Sequence, residues 1–423
     1  MNSKSKSFRI LKNQFKISRW NSRCSNIWAI FVTSFFAMSA ENKKILSKLK
    51  DTTENDLILF LISPVDINSP SDFGRYPDKV YSLHKLAINL GFRSQIVFHP
   101  LVANRKLSNC IPVARIDRIG TIFLAFFFFL CNSKKIKEDR NLSYWWRSSG
   151  LLDKLRHHLW RDFLNYSKPR VIFGISVRQF EALACKENSI PIFEVMHGTF
   201  SKEQARSVDV DMFLTWDSHY SKNLKALGVE TKVIGHPNAE FLEVHKQLPD
   251  ESVRKILVTL AWGINNSKDP FGLMSRELAD LSTELNSLSY NLVFRIHPVT
   301  LQKKSREIYA IQNWLEKNYP NSLFTSPDKT SLFQDLRSTL LHITHDSSSF
   351  YEAGLLGIPT IFTSRAGYEA VPKEFVDTGG IHLWESKRNL ALPNLEIIIG
   401  KKFGNKLNLG AVTEMMLFHY LMD

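Results

Sequence analysis

Cysteine is scarce and scattered. Cys24, Cys110, Cys131 and Cys185 are the only four in 423 residues, and no two are spaced as CxxC. That excludes a disulfide scaffold, gives no structural zinc site and points to a reducing compartment. Long hydrophobic runs are missing as well. Residues 27–38 and 119–131 are apolar stretches of only about a dozen residues each, where a spanning helix needs roughly 20. Both read as buried core helices or interfacial segments. No repeat of fixed period is visible, so a solenoid is excluded. Zinc-finger spacing, RNA-binding aromatic motifs and heptad arrays are also absent.

Acidic residues are nearly absent from the first fifty positions. Eleven Lys and Arg face a single Glu41 there, which accounts for +10 of the formal +14. A basic arm of this kind can touch nucleic acid or anionic lipid. With no nucleic-acid motif beside it, and with the apolar run 27–38 inside it, lipid is the favoured partner and nucleic acid is not expected. The run is followed by small residues at Ala37, Ser39 and Ala40, as in a signal peptide. The basic stretch before it is long for one, and the arm is read as retained.

What is present is a composition able to bury a sizeable core, with 44% hydrophobic residues. Apolar strand-like segments alternate with helix-like ones. Strands are expected at 57–63, 94–98, 170–175, 191–196, 211–216 and 232–234, with helices at 77–90, 178–188 and 218–227. A polar, proline-containing stretch at 237–252 reads as a connector. The alternation then restarts, with strands at 255–261, 292–296, 340–344 and 360–363 and helices at 272–288, 302–317 and 349–356. Such alternation predicts α/β architecture with parallel sheets covered on both faces. The expected division is a basic arm 1–50, a first Rossmann-like domain 51–236, a linker 237–252 and a second domain 253–423 ending in a helix. Two doubly wound domains of this kind face a cleft, and ligands sit beyond the carboxyl ends of the strands.

The loops at those strand ends carry the chemistry-bearing residues. His197 and Gly198 follow one strand, Gly235-His236-Pro237 another, and Arg295-Ile296-His297-Pro298 a third. Ser347-Ser348-Ser349 opens a helix after a fourth. Hydroxyls and free N–H groups of a first helical turn favour phosphate. Glu352 lies one turn further on, where it can accept from ribose hydroxyls. The same serine and glutamate also fit a plain capping box, and the residues alone do not separate the two. Gly263 follows the first strand of the second half, where a missing side chain lets backbone approach a ligand. Asp66 and Arg75 lie in the loop after the first strand. Asp209-Val210-Asp211 is a literal DxD, but it precedes its strand, at the wrong sheet edge for a metal–diphosphate site. No metal is expected.

The stretch Ser347-Ser348-Ser349-Phe350-Tyr351-Glu352-Ala353 with Gly357-Ile358-Pro359 resembles the donor-nucleotide half of GT-B glycosyltransferases. Together with His197-Gly198 and Arg295-Ile296-His297-Pro298 it is similar to bacterial capsule and teichoic-acid enzymes, including polysialyltransferases, capsule Kdo transferases and CDP-glycerol glycerophosphotransferases. The stretch Val233-Ile234-Gly235-His236-Pro237 resembles the GT-B interdomain crossover. The resemblance covers roughly 170–365. It implies that His297 and the serines hold donor phosphates, with Arg295 as helper, and that Glu352 holds ribose. It places His197 across the cleft as the base, with Gly198, Asp66 and Arg75 on the acceptor side. Polysialyltransferases carry an acidic residue before this glycine; His197 departs from that and leaves the donor sugar open.

The implied activity is transfer of a sugar or polyol phosphate from a nucleotide-activated donor to a surface polysaccharide or lipid-linked glycan. The implied enzyme is inverting, needs no cofactor, and sits in the cytoplasm on the inner face of the membrane. A non-hydrolysing UDP-sugar 2-epimerase shares the layout and is the alternative. A non-catalytic scaffold of the same fold is a third reading.

Overall fold

The computed structural model describes residues 57–62, 79–98, 110–112, 157, 160–161, 163–165, 167–198, 209–239, 242, 255–260, 290–297, 305–327 and 329–384. The arm 1–50, both long apolar stretches, the helix expected at 272–288 and the C-terminal helix lie outside these residues. So do most of the linker and Asp66, Arg75 and Gly263.

The first half contains β1 (Leu57–Ile62), α1 (Lys79–Asn89), β2 (Arg93–Phe98), β3 (Cys110–Pro112), β4 (Val171–Gly174), α2 (Gln179–Glu187), β5 (Ile192–Val195), β6 (Met212–Thr215), α3 (Ser218–Lys225) and β7 (Thr231–Val233). Its seven strands are all parallel, in the order β3-β2-β1-β4-β5-β6-β7. The second half contains β8 (Lys255–Thr259), β9 (Asn291–Arg295), α4 (Ser305–Asn318), β10 (Leu323–Thr325), α5 (Leu332–Arg337), β11 (Thr339–Thr344), α6 (Ser349–Leu355), β12 (Thr360–Phe362), α7 (Arg365–Glu369), α8 (Lys373–Val376) and β13 (Ile381–Leu383). Its six strands are also parallel, in the order β10-β9-β8-β11-β12-β13.

The unbroken apolar strands follow from burial on both faces. In the first sheet Ile58, Phe60, Val171 and Phe173 face α1, packing on Leu83 and Ala87. The alternate residues Leu57, Leu59, Leu61 and Ile172 face the other way, onto Trp160, Phe163 and Ala182 and Cys185 of α2. The second sheet repeats this. Ile256, Val258, Phe294 and Ile343 pack on Ile311 and Leu315 of α4. Leu257 and Val293 pack on Phe333 and Leu336 of α5 and Ala353 of α6.

The two sheets bear out the doubly wound GT-B architecture. β3, β10, β13 and helices α5, α7 and α8 were not among the expected elements. They are short, and three residues of strand carry too little periodicity to be read from sequence.

The halves meet through an aromatic seam. Met196, Trp216 and Tyr220 of the first half pack against Phe350, Tyr351, Phe362 and Phe375 of the second. Asp217 anchors this seam. Its Oδ1 accepts from the Tyr220 N–H (2.8 Å), capping α3, while its Oδ2 accepts from the Tyr351 hydroxyl (2.6 Å).

Candidate functional site

Each sheet has one place where the strand order reverses, between β1 and β4 in the first and between β8 and β11 in the second. The crevices of doubly wound sheets open there. The loop after β4 and the loop after β11 therefore face the cleft, and β5 brings His197 beside the first of them.

His197 and Gly198 follow β5, past Met196, which is fully buried in the seam. A Cβ added to Gly198 would stand 3.3 Å from the Ser348 hydroxyl. The histidine loop of one half thus touches the serine loop of the other. The His197 Nε2 lies 3.3 Å from the hydroxyl of Ser176. Ser176 sits in the loop after β4 with φ +55°, a left-handed conformation that is costly for a residue with a side chain. Sequence reading passed over it, because an isolated serine in a short loop carries no pattern; only its backbone angle and its histidine mark it.

The loop 175–178 is held from below by two buried carboxyl groups. Glu181 accepts from the Arg178 N–H (2.8 Å). Glu194, in β5, accepts from the Val177 N–H, and burial pushes its carboxyl well above the usual range, with Glu181 nearby adding to the rise.

The serines divide their work. The Ser347 hydroxyl accepts from the Ser349 N–H (3.2 Å) and from the Ser349 hydroxyl (2.9 Å). Ser349 turns inward, its hydroxyl 3.2 Å from His342 Nε2 and 3.4 Å from the Thr259 hydroxyl. His342 bridges on to Thr360 through Nδ1 (3.2 Å), and burial pushes its imidazole down to about 3. Ser347 and Ser348 are both half-buried, and Ser348 is the one that meets the opposing Gly198. Ser347 and Ser349 thus brace the loop through their own hydrogen bonds, and Ser348 lies against the opposing Gly198.

Two further expected ligands have buried partners within the protein. Arg295 is buried, and its Nη1 donates to Asp335 and to the Thr330 carbonyl (2.9 Å) and hydroxyl (3.1 Å). It is the last residue of β9 and ties that strand to α5. Glu352 is 2% exposed, with Oε1 3.6 Å from Nε2 of the equally buried His236. His236 itself stacks edge-on to Trp216, centroids 4.4 Å apart. The pair lies against the seam between the two halves.

His297 stands just past β9. Burial alone pushes its imidazole down to about 4, so it is neutral at pH 7. Its strand lies two positions from β11, about 10 Å at the usual strand spacing. Asp211 accepts from the Ile192 N–H (2.8 Å) and Asp209 pairs with Lys186 (2.5 Å). Both stand before β6, at the sheet edge opposite the cleft.

No protein-family model matches the chain, and no curated protein matches it. Solved structures do. A UDP-GlcNAc 2-epimerase from Methanocaldococcus jannaschii, in complex with UDP-GlcNAc and UDP, is 14% identical. The match has a TM-score of 0.53 and covers 86% of this chain and 99% of that one. The S. aureus MnaA–UDP co-structure is 12% identical, with a TM-score of 0.55 and coverage of 87% and 97%. The glycosyltransferase SnogD from Streptomyces nogalater is 13% identical, with a TM-score of 0.47 and coverage of 88% and 100%. At these identities the two likenesses with TM-scores above 0.5 establish a shared fold.

Proposed function

We propose that the chain is a glycosyltransferase of the GT-B fold. It moves a sugar, or a polyol phosphate, from a nucleotide-activated donor to a surface polysaccharide or lipid-linked glycan, in the manner of the capsule and teichoic-acid enzymes its motifs resemble. The observation that carries this reading is the approach of Gly198 to Ser348. It sets a histidine on one half against a serine at the start of a helix on the other, both at the carboxyl ends of their sheets. That is the layout a transfer reaction needs, with a base on one side and phosphate contacts on the other.

In this reading His197 takes the proton from the acceptor hydroxyl as it attacks, a task suited to an imidazole. Ser348 and a neutral, N–H-donating His297 contact the donor phosphates and stabilise charge on the leaving group. This set needs no resident metal, and attack from the opposite side of the cleft gives inversion. Gly263 serves the donor, and Asp66 and Arg75 the acceptor. The basic arm tethers the protein to the anionic inner face of the membrane. Among the described residues no helix is long and apolar enough to cross a membrane.

Thermal shift with CMP-, CDP-, UDP- and GDP-linked sugars tests the reading. A donor at 100 times its Kd stabilises by about 2.7 kcal/mol. One nucleotide class is expected to stand out and to be consumed only when a glycan acceptor is present. Conversion of UDP-GlcNAc to its 2-epimer without any acceptor would establish the epimerase alternative instead. No stabilisation by any donor would leave the scaffold.

A further inference from the structure

The Ser176–His197 contact has the form of a proton route. The His197 Nδ1 is enclosed in protein, which leaves Nε2 as the nitrogen for exchange with a substrate. Nε2 faces the Ser176 hydroxyl at 3.3 Å. An imidazole nitrogen has one lone pair, so Ser176 and an acceptor hydroxyl cannot both donate to it well.

The protein also maintains this serine against its backbone preference. Ser176 holds φ +55° where glycine would be unstrained. Glu181 and Glu194 grip the two N–H groups that follow it. Gly174 gives the loop room to fold back, since a Cβ there would stand 2.5 Å from a Val177 methyl. Left-handed backbone also occurs at Lys168 and Ser189; what sets Ser176 apart is that its clamp holds the side chain on His197.

We infer that Ser176 is a catalytic relay between the acceptor and His197, an inference that rests on the reading of His197 as the base. The acceptor O–H bond breaks as its proton passes to the Ser176 Oγ. The proton already on Oγ passes to Nε2, leaving an imidazolium. The acceptor oxygen bonds to the electrophilic carbon or phosphorus of the donor. The nucleotide departs with the electron pair of the broken bond on its phosphate oxygen, and the imidazolium returns its proton to solvent.

The relay requires a neutral His197 that carries its proton on Nδ1 and accepts at Nε2. ¹⁵N-histidine spectra of the unliganded full chain, assigned by comparison with His197→Gln, read this directly. The Nδ1–H tautomer is expected, and the Nε2–H tautomer would overturn the relay. Turnover is then followed as nucleotide release from the donor chosen among CMP-, CDP-, UDP- and GDP-linked sugars. Ser176→Ala and Ser176→Gly are each expected to lower turnover about 10²-fold, the low end of general acid–base effects, with donor KM unchanged. Ser176→Gly relieves the backbone, so its Tm is expected to equal or exceed the wild-type value. That separates lost relay from lost structure. Wild-type turnover in both serine variants, with His197→Gln inactive, would overturn the relay and leave the base standing. Wild-type turnover in His197→Gln would overturn the base, and the relay with it.

Discussion

His297 and His342 are both held neutral by burial, to about 4 and about 3 respectively, but they answer to different tests. His342 lies inside the second sheet with both ring nitrogens in contact with hydroxyls. Its folded pKa is below the usual 6.5, so between pH 6.5 and about 3 the unfolded chain binds the extra proton. Stability is therefore lost as pH falls through that window, by up to about 1.4 kcal/mol per pH unit. Urea unfolding at pH 7 and pH 5 is expected to show a smaller pH dependence in His342→Gln than in wild type.

For His297 the readout is binding. An adjacent phosphate raises an imidazole pKa, so binding takes up a proton as pH falls toward the free value. Calorimetry with a nucleotide diphospho-sugar, whose bridged pyrophosphate does not titrate in this range, is expected to show tighter binding at pH 5.5 than at pH 7.5. The trend is expected to disappear in His297→Gln. His297→Ala is expected to weaken donor binding by about 1.5–3 kcal/mol, the range for a hydrogen bond to a charged group. His197→Ala is expected to bind donor nearly normally and to lose roughly 10²–10⁴-fold in turnover.

At the scale of elements, the loop between β11 and α6 depends on a helix that follows it in the chain. Ser364 caps α7 by accepting from the Gly367 N–H (3.2 Å). Gly367 then lies so close to the loop that a Cβ would stand 2.3 Å from the His345 carbonyl and 3.0 Å from the Asp346 Cα. Those neighbours are backbone and cannot rotate away. Gly367→Ala is therefore expected to push α7 off the serine loop and cost about 1–3 kcal/mol, as overpacking does. It is also expected to weaken donor binding through displacement of Ser348. Denaturant unfolding and calorimetry on the same protein check both effects. A variant with wild-type stability would show that α7 moves freely against the loop.

At the scale of the whole molecule, the seam joins the two halves, with Met196, Trp216 and Tyr220 packed against Phe350, Tyr351 and Phe375. Tyr351 reaches from α6 into the first half to bond Asp217, a carboxyl that burial pushes above its usual range despite this bond and the Tyr220 N–H. Tyr351→Phe keeps the aromatic packing and removes only the hydroxyl. A lost bond to a group that can carry charge costs about 1.5–3 kcal/mol, and denaturant unfolding is expected to register it. The wild-type chain is expected to melt in one transition and Tyr351→Phe in one at lower temperature or in two. The basic arm acts at this scale too. Deleting residues 1–24 is expected to weaken binding to anionic liposomes while leaving the thermal transition in place.

Much of the fold is a direct consequence of sequence pattern. Continuous apolar runs such as Leu57-Ile58-Leu59-Phe60-Leu61 leave no polar face, so they require cover on both sides, and their alternation with helices requires parallel sheets. The positions of His197, His297 and Ser348 at strand ends follow from the same rule, because chain order alone says which loops lie at the carboxyl edge. The sequence could not say which way a side chain turns once it is there. Glu352 read equally well as a ribose ligand or as a capping partner, and Arg295 read as a phosphate helper. Their buried partners are Asp335, 40 residues away along the chain, and His236, 116 residues away. Ser176 was invisible for the same reason. Its backbone angle is imposed by Glu181 and Glu194 from below, and its meaning comes from His197 on the neighbouring strand. Periodicity reports only the faces of elements. Pairings between buried polar groups depend on distances that exist only after the sheets have formed.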